Sequence, residues 1–235
     1  MVAADNSCKR VLLIDDHPIL RHGLRHVIES QEDLAICGET DTERDARSVI
    51  QELMPDAVVT DISLGRGDGI ELIRDIRAHH PKLPVLVFSS QDEAIYAERV
   101  LATGANGYIM KKSGAATFLV ALRRVLAGGI FVSEAVSNGM MQKSASNQGF
   151  AIDRLSNREV QILHMIGNGM STRETALRLK LSVKTVESHR QRIKRKLELN
   201  SATQLMQCAI NWFDHVNRES LGPGRWLAES KGASP

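Results

Sequence analysis

The sequence predicts an α/β domain on a doubly wound, five-stranded parallel sheet, followed by a small all-α domain of four helices that carries a helix-turn-helix. Three observations predict it. Short aliphatic runs alternate with helix-period segments five times over between residues 10 and 128. Serine and glycine punctuation marks out four helices between 153 and 215. Charge is divided to match: residues 1–132 hold 15 Lys+Arg against 19 Asp+Glu, net −4, and residues 153–215 hold 11 against 6, net +5. An acidic half and a basic half imply two domains with different partners, and the basic half points towards nucleic acid.

At 235 residues the chain can bury one or two cores, and a composition 43% hydrophobic and 25% charged is that of a globular protein. No apolar stretch approaches the length of a membrane span, and "MVAADNSCKR" lacks the apolar centre of a signal peptide. The expectation is a cytoplasmic protein with no membrane partner. Cys8, Cys37 and Cys208 are odd in number and widely spaced, with no C-x-x-C, which argues for a reducing cytoplasm and against a disulfide framework or a zinc site. Cys37, in "LAIC", reads as core packing.

In the first domain the strands are "VLLID", "LAICGE", "AVVTD", "VLVFS" and "GYIM". Between them lie the helices "ILRHGLRHVIES", "ERDARSVIQELM", "IELIRDIRAHH" and "EAIYAERVLATG", and "AATFLVALRRVLAGG" closes the series. In the first helix Leu20, Leu24, Val27 and Ile28 share a face, while Arg21, Arg25 and His26 fall off it. Such alternation builds a parallel sheet covered on both sides by right-handed crossovers.

Burying Val11 to Ile14 drags Asp15 and Asp16 to the edge of a core. At an effective dielectric of about 20, two such charges roughly 4 Å apart repel by about 4 kcal/mol. On its own Asp16 reads as a helix cap, and His17 as a solvent-facing neighbour. The sheet supplies the fuller reading, because parallel sheets gather ligands at the carboxyl ends of their strands. Asp15 and Asp16 end the first strand, Asp61 the third and Ser89 the fourth, and Lys111 follows the fifth. Clustered carboxylates there call for a hard divalent cation, Mg²⁺. One carboxylate can then attack a phosphoryl donor to form an aspartyl phosphate, while Lys111 and the Ser89 hydroxyl hold phosphoryl oxygens. A phosphatase would need a general acid or base in reach, usually an Asp two residues after the nucleophile. Ser63 stands there, so a turnover enzyme is not expected.

Residues 9 to about 130 resemble the receiver domain of bacterial response regulators, through the acid pair in "IDDHP", the aspartate in "VVTDISLGRGDG", the "FSS" strand end and the lysine in "GANGYIMKKS". The resemblance implies the flavodoxin-like strand order 2-1-3-4-5. It also implies that Asp61 is the phosphoacceptor, served by a sensor histidine kinase, with Asp15, Asp16 and Asp61 at the metal. Ser89 and Tyr108 would rearrange on phosphorylation, coupling the site to the face of the fourth helix, fifth strand and fifth helix. Leu64-Gly65 departs from the family's Met-Pro or Leu-Pro, and glycine there predicts a looser loop. Lys112 stands where many receivers have proline. Ser63 and Gln91 occupy the positions at which the family tunes hydrolysis of the phosphoryl group.

In the second domain Ser156 with Glu159 and Ser171 with Glu174 are capping boxes, Gly167 and Gly169 fit a helix end, and Ser182 caps a third helix. A short helix, a turn at "LKLS" and a long basic helix make the helix-turn-helix, and a fourth helix runs from about Ala202 to Phe213. On the basic helix Val186, His189, Ile193 and Leu197 form the core stripe. The opposite face carries Lys184, Ser188, Gln191 and Arg195, flanked by Glu187 and Arg192. Lys184, Thr185, Glu187, Ser188 and Gln191 lie in the half whose small polar and amide side chains can reach base edges, and Arg190, Arg192, Lys194, Arg195 and Lys196 can neutralise phosphates along the second half. Glu187 either accepts from a cytosine amine or pairs with Arg190.

This half resembles the LuxR-type DNA-binding domain in "LSNREVQIL", "GMSTRETALRL" and "SVKTVESHRQRIKRKL", and the whole resembles the NarL/FixJ response regulators. The resemblance implies a phosphorylation-controlled transcription regulator that binds double-stranded DNA through helix 182–197. It implies a receiver that covers this helix when inhibited, and a homodimer on two half-sites when active. The competing reading is a phosphorylation-independent DNA-binding regulator whose receiver serves as a dimerisation module. The expected organisation is a receiver over 9–130, a linker over 131–152 that is helical around 135–143 and flexible after, a DNA-binding domain over 153–215 and a disordered tail over 216–235 that contains Trp226.

Overall fold

A computed structural model describes residues 8–65, 68–146 and 151–221. The chain divides into two compact units, residues 1–137 and 138–235.

The first unit is the expected parallel sheet, in the order β2-β1-β3-β4-β5. Its strands are β1 (Lys9–Ile14), β2 (Leu34–Thr40), β3 (Ala57–Thr60), β4 (Val85–Ser89) and β5 (Gly107–Met110). The helices between and after them are α1 (Pro18–Glu29), α2 (Glu43–Leu53), α3 (Gly69–His79), α4 (Glu93–Ala102) and α5 (Ala115–Leu126). Both faces of the sheet are covered, so β1, β3 and β4 read as continuous aliphatic runs. Val11, Leu13, Val59, Leu86 and Phe88 pack with Leu24 and Ile28 of α1 and Phe118 and Leu122 of α5 in one core. Val58, Val85 and Val87 are buried as well, as are Leu72, Ile73 and Ile76 of α3.

Strand register delivers the polar ends to one edge. Ile14 pairs with both Thr40 and Thr60, and Ser89 with Met110, so Asp15, Asp61, Ser89 and Lys111 leave the sheet side by side. Asp16 is not the cap of α1. His17 occupies that position with no side-chain cap bond, and Pro18 starts the helix without needing a donor. Thr42, Asp68 and Asp92 cap α2, α3 and α4 through their side chains.

Helix α6 (Glu134–Ser146) occupies the stretch expected as linker and is longer than the predicted 135–143, and the division between units falls inside it. The flexible stretch expected beyond it lies largely outside the described residues.

The second unit opens with a 3₁₀ turn over Ala151–Arg154 and continues as α7 (Asn157–Gly167), α8 (Thr172–Arg178), α9 (Val183–Lys196) and α10 (Ala202–Leu221). Both capping boxes form, and Ser182 caps α9 through the amide of Thr185. A Cβ on Gly167 would meet the carbonyl oxygen of Ala209 at 2.6 Å, so glycine there permits the close packing of α7 on α10. Helix α10 does not stop near Phe213 but runs to Leu221, and residues 216–221, expected in the tail, are helical. The reason is local: the sequence from Asp214 to Leu221 contains no glycine or proline, and the breaker pair Gly222-Pro223 comes only after it. Trp226 and the rest of the expected tail lie outside the described residues.

Candidate functional site

At the carboxyl edge of the sheet Asp15 and Asp61 are buried, 3% and 2% exposed. One ammonium group serves both: Lys111 Nζ lies 2.6 Å from Asp15 Oδ2 and 2.7 Å from Asp61 Oδ2. Ser89 Oγ donates to Asp61 Oδ1 at 2.6 Å, and the amide of Ser63 donates to the same oxygen at 3.1 Å. Asp16 Oδ2 accepts from the amide of Gly65 at 3.1 Å. At Leu64-Gly65 the described part of the loop is tied to the acid pair. Gly65 takes φ +50°, which favours glycine, and its amide is held by Asp16, while Leu64 is buried.

Four site residues predicted from sequence, Asp15, Asp61, Ser89 and Lys111, are thus in direct contact, with Asp16 beside them. Tyr108 is reached at one remove. Its hydroxyl donates to the carbonyl of Gln91 at 2.9 Å, and the amide of Gln91 donates to Ser89 Oγ at 3.3 Å. Burial pushes the Tyr108 phenol well above its ordinary pKa, so it remains a donor at any physiological pH. Gln91 Nε2 also donates to Ser63 Oγ at 3.1 Å, joining the two positions expected to tune hydrolysis.

Sequence reasoning missed three members of this neighbourhood. His17 is 60% exposed along its side chain, as a solvent-facing neighbour would be, yet its Nδ1 lies 3.1 Å from Asp15 Oδ1 and 2.9 Å from Asp16 Oδ1. Arg21 donates to the carbonyl of Asp15 and pairs with Glu39 at 3.4 Å. The Gly65 amide is the third. Adjacency in "DDHP" could have flagged His17, but no spacing rule reveals which way a ring nitrogen faces.

The set fits a divalent cation. Asp15, Asp16, His17 and Asp61 each offer one ligand atom, all within 4.8 Å of one another. Asp16 Oδ1 is shut off from solvent and accepts no hydrogen bond among the described residues. Three carboxylates face one lysine, so a cation would offset the remaining charge.

In the second unit Val186 and Ile193 of α9 are fully buried, and His189 is partly buried on the same stripe. Burial, then the Arg192 charge, holds the His189 imidazole below its usual pKa. Lys184, Glu187, Ser188, Gln191, Arg192 and Arg195 are exposed on the opposite face. Thr185 is half-buried and shares a 2.7 Å hydrogen bond with Ser182. Lys196 Nζ lies 2.7 Å from Glu159 Oε2 and braces α9 against α7, with about a third of its side chain still exposed. Among the described residues no ion pair joins Glu187 to Arg190.

An aspartate-rich edge of a five-stranded α/β domain, followed by a basic helix-turn-helix, defines a regulator that couples a receiver to DNA binding. Comparison with known proteins agrees. Residues 11–123 match the response regulator receiver domain, and residues 153–209 match the bacterial regulatory proteins of the luxR family. BvgA of Bordetella pertussis is 35% identical over 85% of this chain and 96% of its own. The response regulator GacA of Pseudomonas aeruginosa is 32% identical over 86% and 95%. Among solved structures, RcsB of Salmonella typhimurium is 28% identical, with TM-score 0.55 over 87% of this chain and 99% of that one. An RcsB–DNA complex is 27% identical, with TM-score 0.54 over 86% and 98%. The chain belongs to the NarL/FixJ family of response regulators, which join a receiver to a LuxR-type DNA-binding domain. It is a DNA-binding transcription regulator under phosphorylation control and not an enzyme.

Proposed function

We propose that Asp61 is the phosphoacceptor and that helix α9 reads the DNA. The observation that carries the first part is the pair of contacts on Asp61, Ser89 on one oxygen and Lys111 on the other, beside Asp15 and Asp16. A carboxylate oxygen of Asp61 attacks the phosphorus, and the bond to the donor, a phosphohistidine of a sensor kinase, breaks. Mg²⁺ held by Asp15, Asp16 and Asp61 would supply charge neutralisation for the incoming phosphoryl group. Lys111 and Ser89 are placed to turn from the carboxylate to the phosphoryl oxygens, which bring about −1.5 to −2 of charge. Moving Ser89 releases its contact with the Gln91 amide, and Gln91 also receives Tyr108. That chain couples the site to α4 and β5 and biases a pre-existing equilibrium towards the active arrangement.

In the active arrangement two copies bind two half-sites about 10 base pairs apart or a multiple of that. Lys184, Glu187, Ser188 and Gln191 face base edges, with Thr185 at the start of the helix, and Arg192 and Arg195 neutralise phosphates. Action on chromosomal DNA places the protein in the cytoplasm. Among the described residues no helix is long and apolar enough to cross a membrane.

The test is intact mass after incubation with acetyl phosphate and Mg²⁺, for wild type and Asp61→Asn in parallel. One phosphoryl group gained by wild type alone supports the assignment. Equal uptake by Asp61→Asn would move the acceptor elsewhere. No uptake by wild type, from this donor or from a kinase, would favour the receiver as a docking module.

A further inference from the structure

His17 is placed to do more than border the acid pair. Its backbone amide donates to Asp15 Oδ1 at 2.8 Å, and its ring turns back so that Nδ1 stands 3.1 Å from that oxygen and 2.9 Å from Asp16 Oδ1. The remaining contacts leave this corner open. Lys111 takes the Oδ2 oxygens of Asp15 and Asp61, and the Gly65 amide takes Oδ2 of Asp16. The Oδ1 atoms of Asp15 and Asp16 therefore both face the imidazole, and among the described residues Asp16 Oδ1 has no hydrogen bond. Neighbouring ligands of an octahedral ion with bonds of about 2.1 Å stand about 3 Å apart. The two separations from Nδ1 match that edge length.

We propose that His17 Nδ1 is a nitrogen ligand of the cation site, which gives the receiver a preference for first-row transition ions such as Mn²⁺ over Mg²⁺. The inference rests on the reading of Asp15, Asp16 and Asp61 as the metal site. Mg²⁺ gains little from an imidazole, whereas the first-row transition ions take nitrogen more readily, with Mn²⁺ at the lower end of their order. As a ligand the ring presents the Nδ1 lone pair to the ion and keeps its proton on Nε2, towards solvent. The ion replaces the Nδ1–carboxylate contacts with bonds to the same atoms. Phosphoryl uptake would proceed with either ion, and what His17 changes is which ion occupies the site.

The experiment uses the full chain, with Mn²⁺ and Mg²⁺ as probes. Mn²⁺ binding is counted by electron paramagnetic resonance, Mg²⁺ binding by competition, and the bound Mn²⁺ signal is examined for coupling to a directly bonded ¹⁴N. Wild type should show the nitrogen coupling. His17→Ala should lose it and bind Mn²⁺ at least about tenfold more weakly, the lower end of what even outer-shell partners contribute, with Mg²⁺ affinity nearly unchanged. Asp15→Asn should weaken both ions. Wild type binding both ions without nitrogen coupling, or His17→Ala keeping its Mn²⁺ affinity, overturns the proposal and leaves the acid site intact. Wild type binding neither ion, or Asp15→Asn binding both normally, overturns the metal site itself. The His17 side chain is mostly exposed, and circular dichroism checks that His17→Ala folds.

Discussion

Lys111 and Asp61 meet at 2.7 Å across the carboxyl edge of the sheet, and the same ammonium reaches Asp15 at 2.6 Å. Two buried carboxylates from β1 and β3 therefore depend on one cation delivered by the loop after β5. The contact braces the carboxyl ends of the first and third strands against the loop after the fifth.

Lys111→Met follows directly. Removing one partner of a buried ion pair leaves an uncompensated charge, and here it leaves two. The receiver should lose about 3 kcal/mol of stability in chelator. Added Mg²⁺ should recover part of that loss by mass action, and more of it than the same addition gains for wild type. Urea unfolding with and without Mg²⁺ measures both quantities. A variant as stable as wild type in chelator would show that the cluster tolerates its charge without Lys111.

Glu159 and Lys196 form the corresponding brace in the second unit. Burial alone would raise the Glu159 pKa, but Lys196 and the Ser156 amide outweigh it and hold the carboxyl below its usual range. A lowered folded-state value means stability that is present above the unfolded pKa and lost as pH falls through the folded one. The second unit should therefore weaken as pH drops below about 4.5, the ordinary glutamate range. Lys196→Met should cost about 2 kcal/mol at neutral pH, less than a fully buried pair because a third of the Lys196 side chain meets solvent. It should also flatten the acid limb. Trp212, buried in α10, reports the transition by fluorescence in a Trp226→Phe background.

His189 sets a second, milder limit. It faces Arg192, Arg158 and Lys196 as well as Glu159, and its Nδ1 is buried with no hydrogen bond among the described residues. Burial, then these cations, keeps it neutral. A base whose folded pKa is depressed gives constant stability above its unfolded value of about 6.5 and loses stability as pH falls below it. Unfolding of the second unit at pH 5.5 and 7.5 should differ in wild type and much less in His189→Gln. Equal differences in the two proteins would assign the slope to another group.

How much of this was legible in sequence depends on what each feature rests on. The strand runs and the convergence of Asp15, Asp61, Ser89 and Lys111 follow from periodicity and topology, the strand order follows from the resemblance to receiver domains, and the sheet reproduces both. Capping boxes at Ser156 and Ser171 are local in sequence and formed as read. The misses are of another kind. The pairing of Lys196 with Glu159 joins residues 37 positions apart, beyond the reach of local pattern. The direction of the His17 ring depends on which carboxylate oxygens Lys111 and Gly65 have already taken. The reach of α10 to Leu221 was hidden because polar residues resembled a tail, although no breaker precedes Gly222.

The same Lys196 contact separates the basic residues of α9 by role. Arg195 is exposed, whereas Lys196 is held by Glu159. Each cation that neutralises a phosphate adds about 0.9 to the slope of log affinity against log salt. Arg195→Gln should therefore lower that slope by about one and weaken binding to all sequences alike. Lys196→Gln should leave the slope nearly unchanged and act through stability. Gln191→Ala should instead relax discrimination at one base position, by about 1–3 kcal/mol, with the slope intact. Fluorescence anisotropy over a salt series, on a site selected with the phosphorylated protein, resolves the three. If Lys196→Gln lowered the slope as much as Arg195→Gln, Lys196 would have exchanged Glu159 for a phosphate on the DNA.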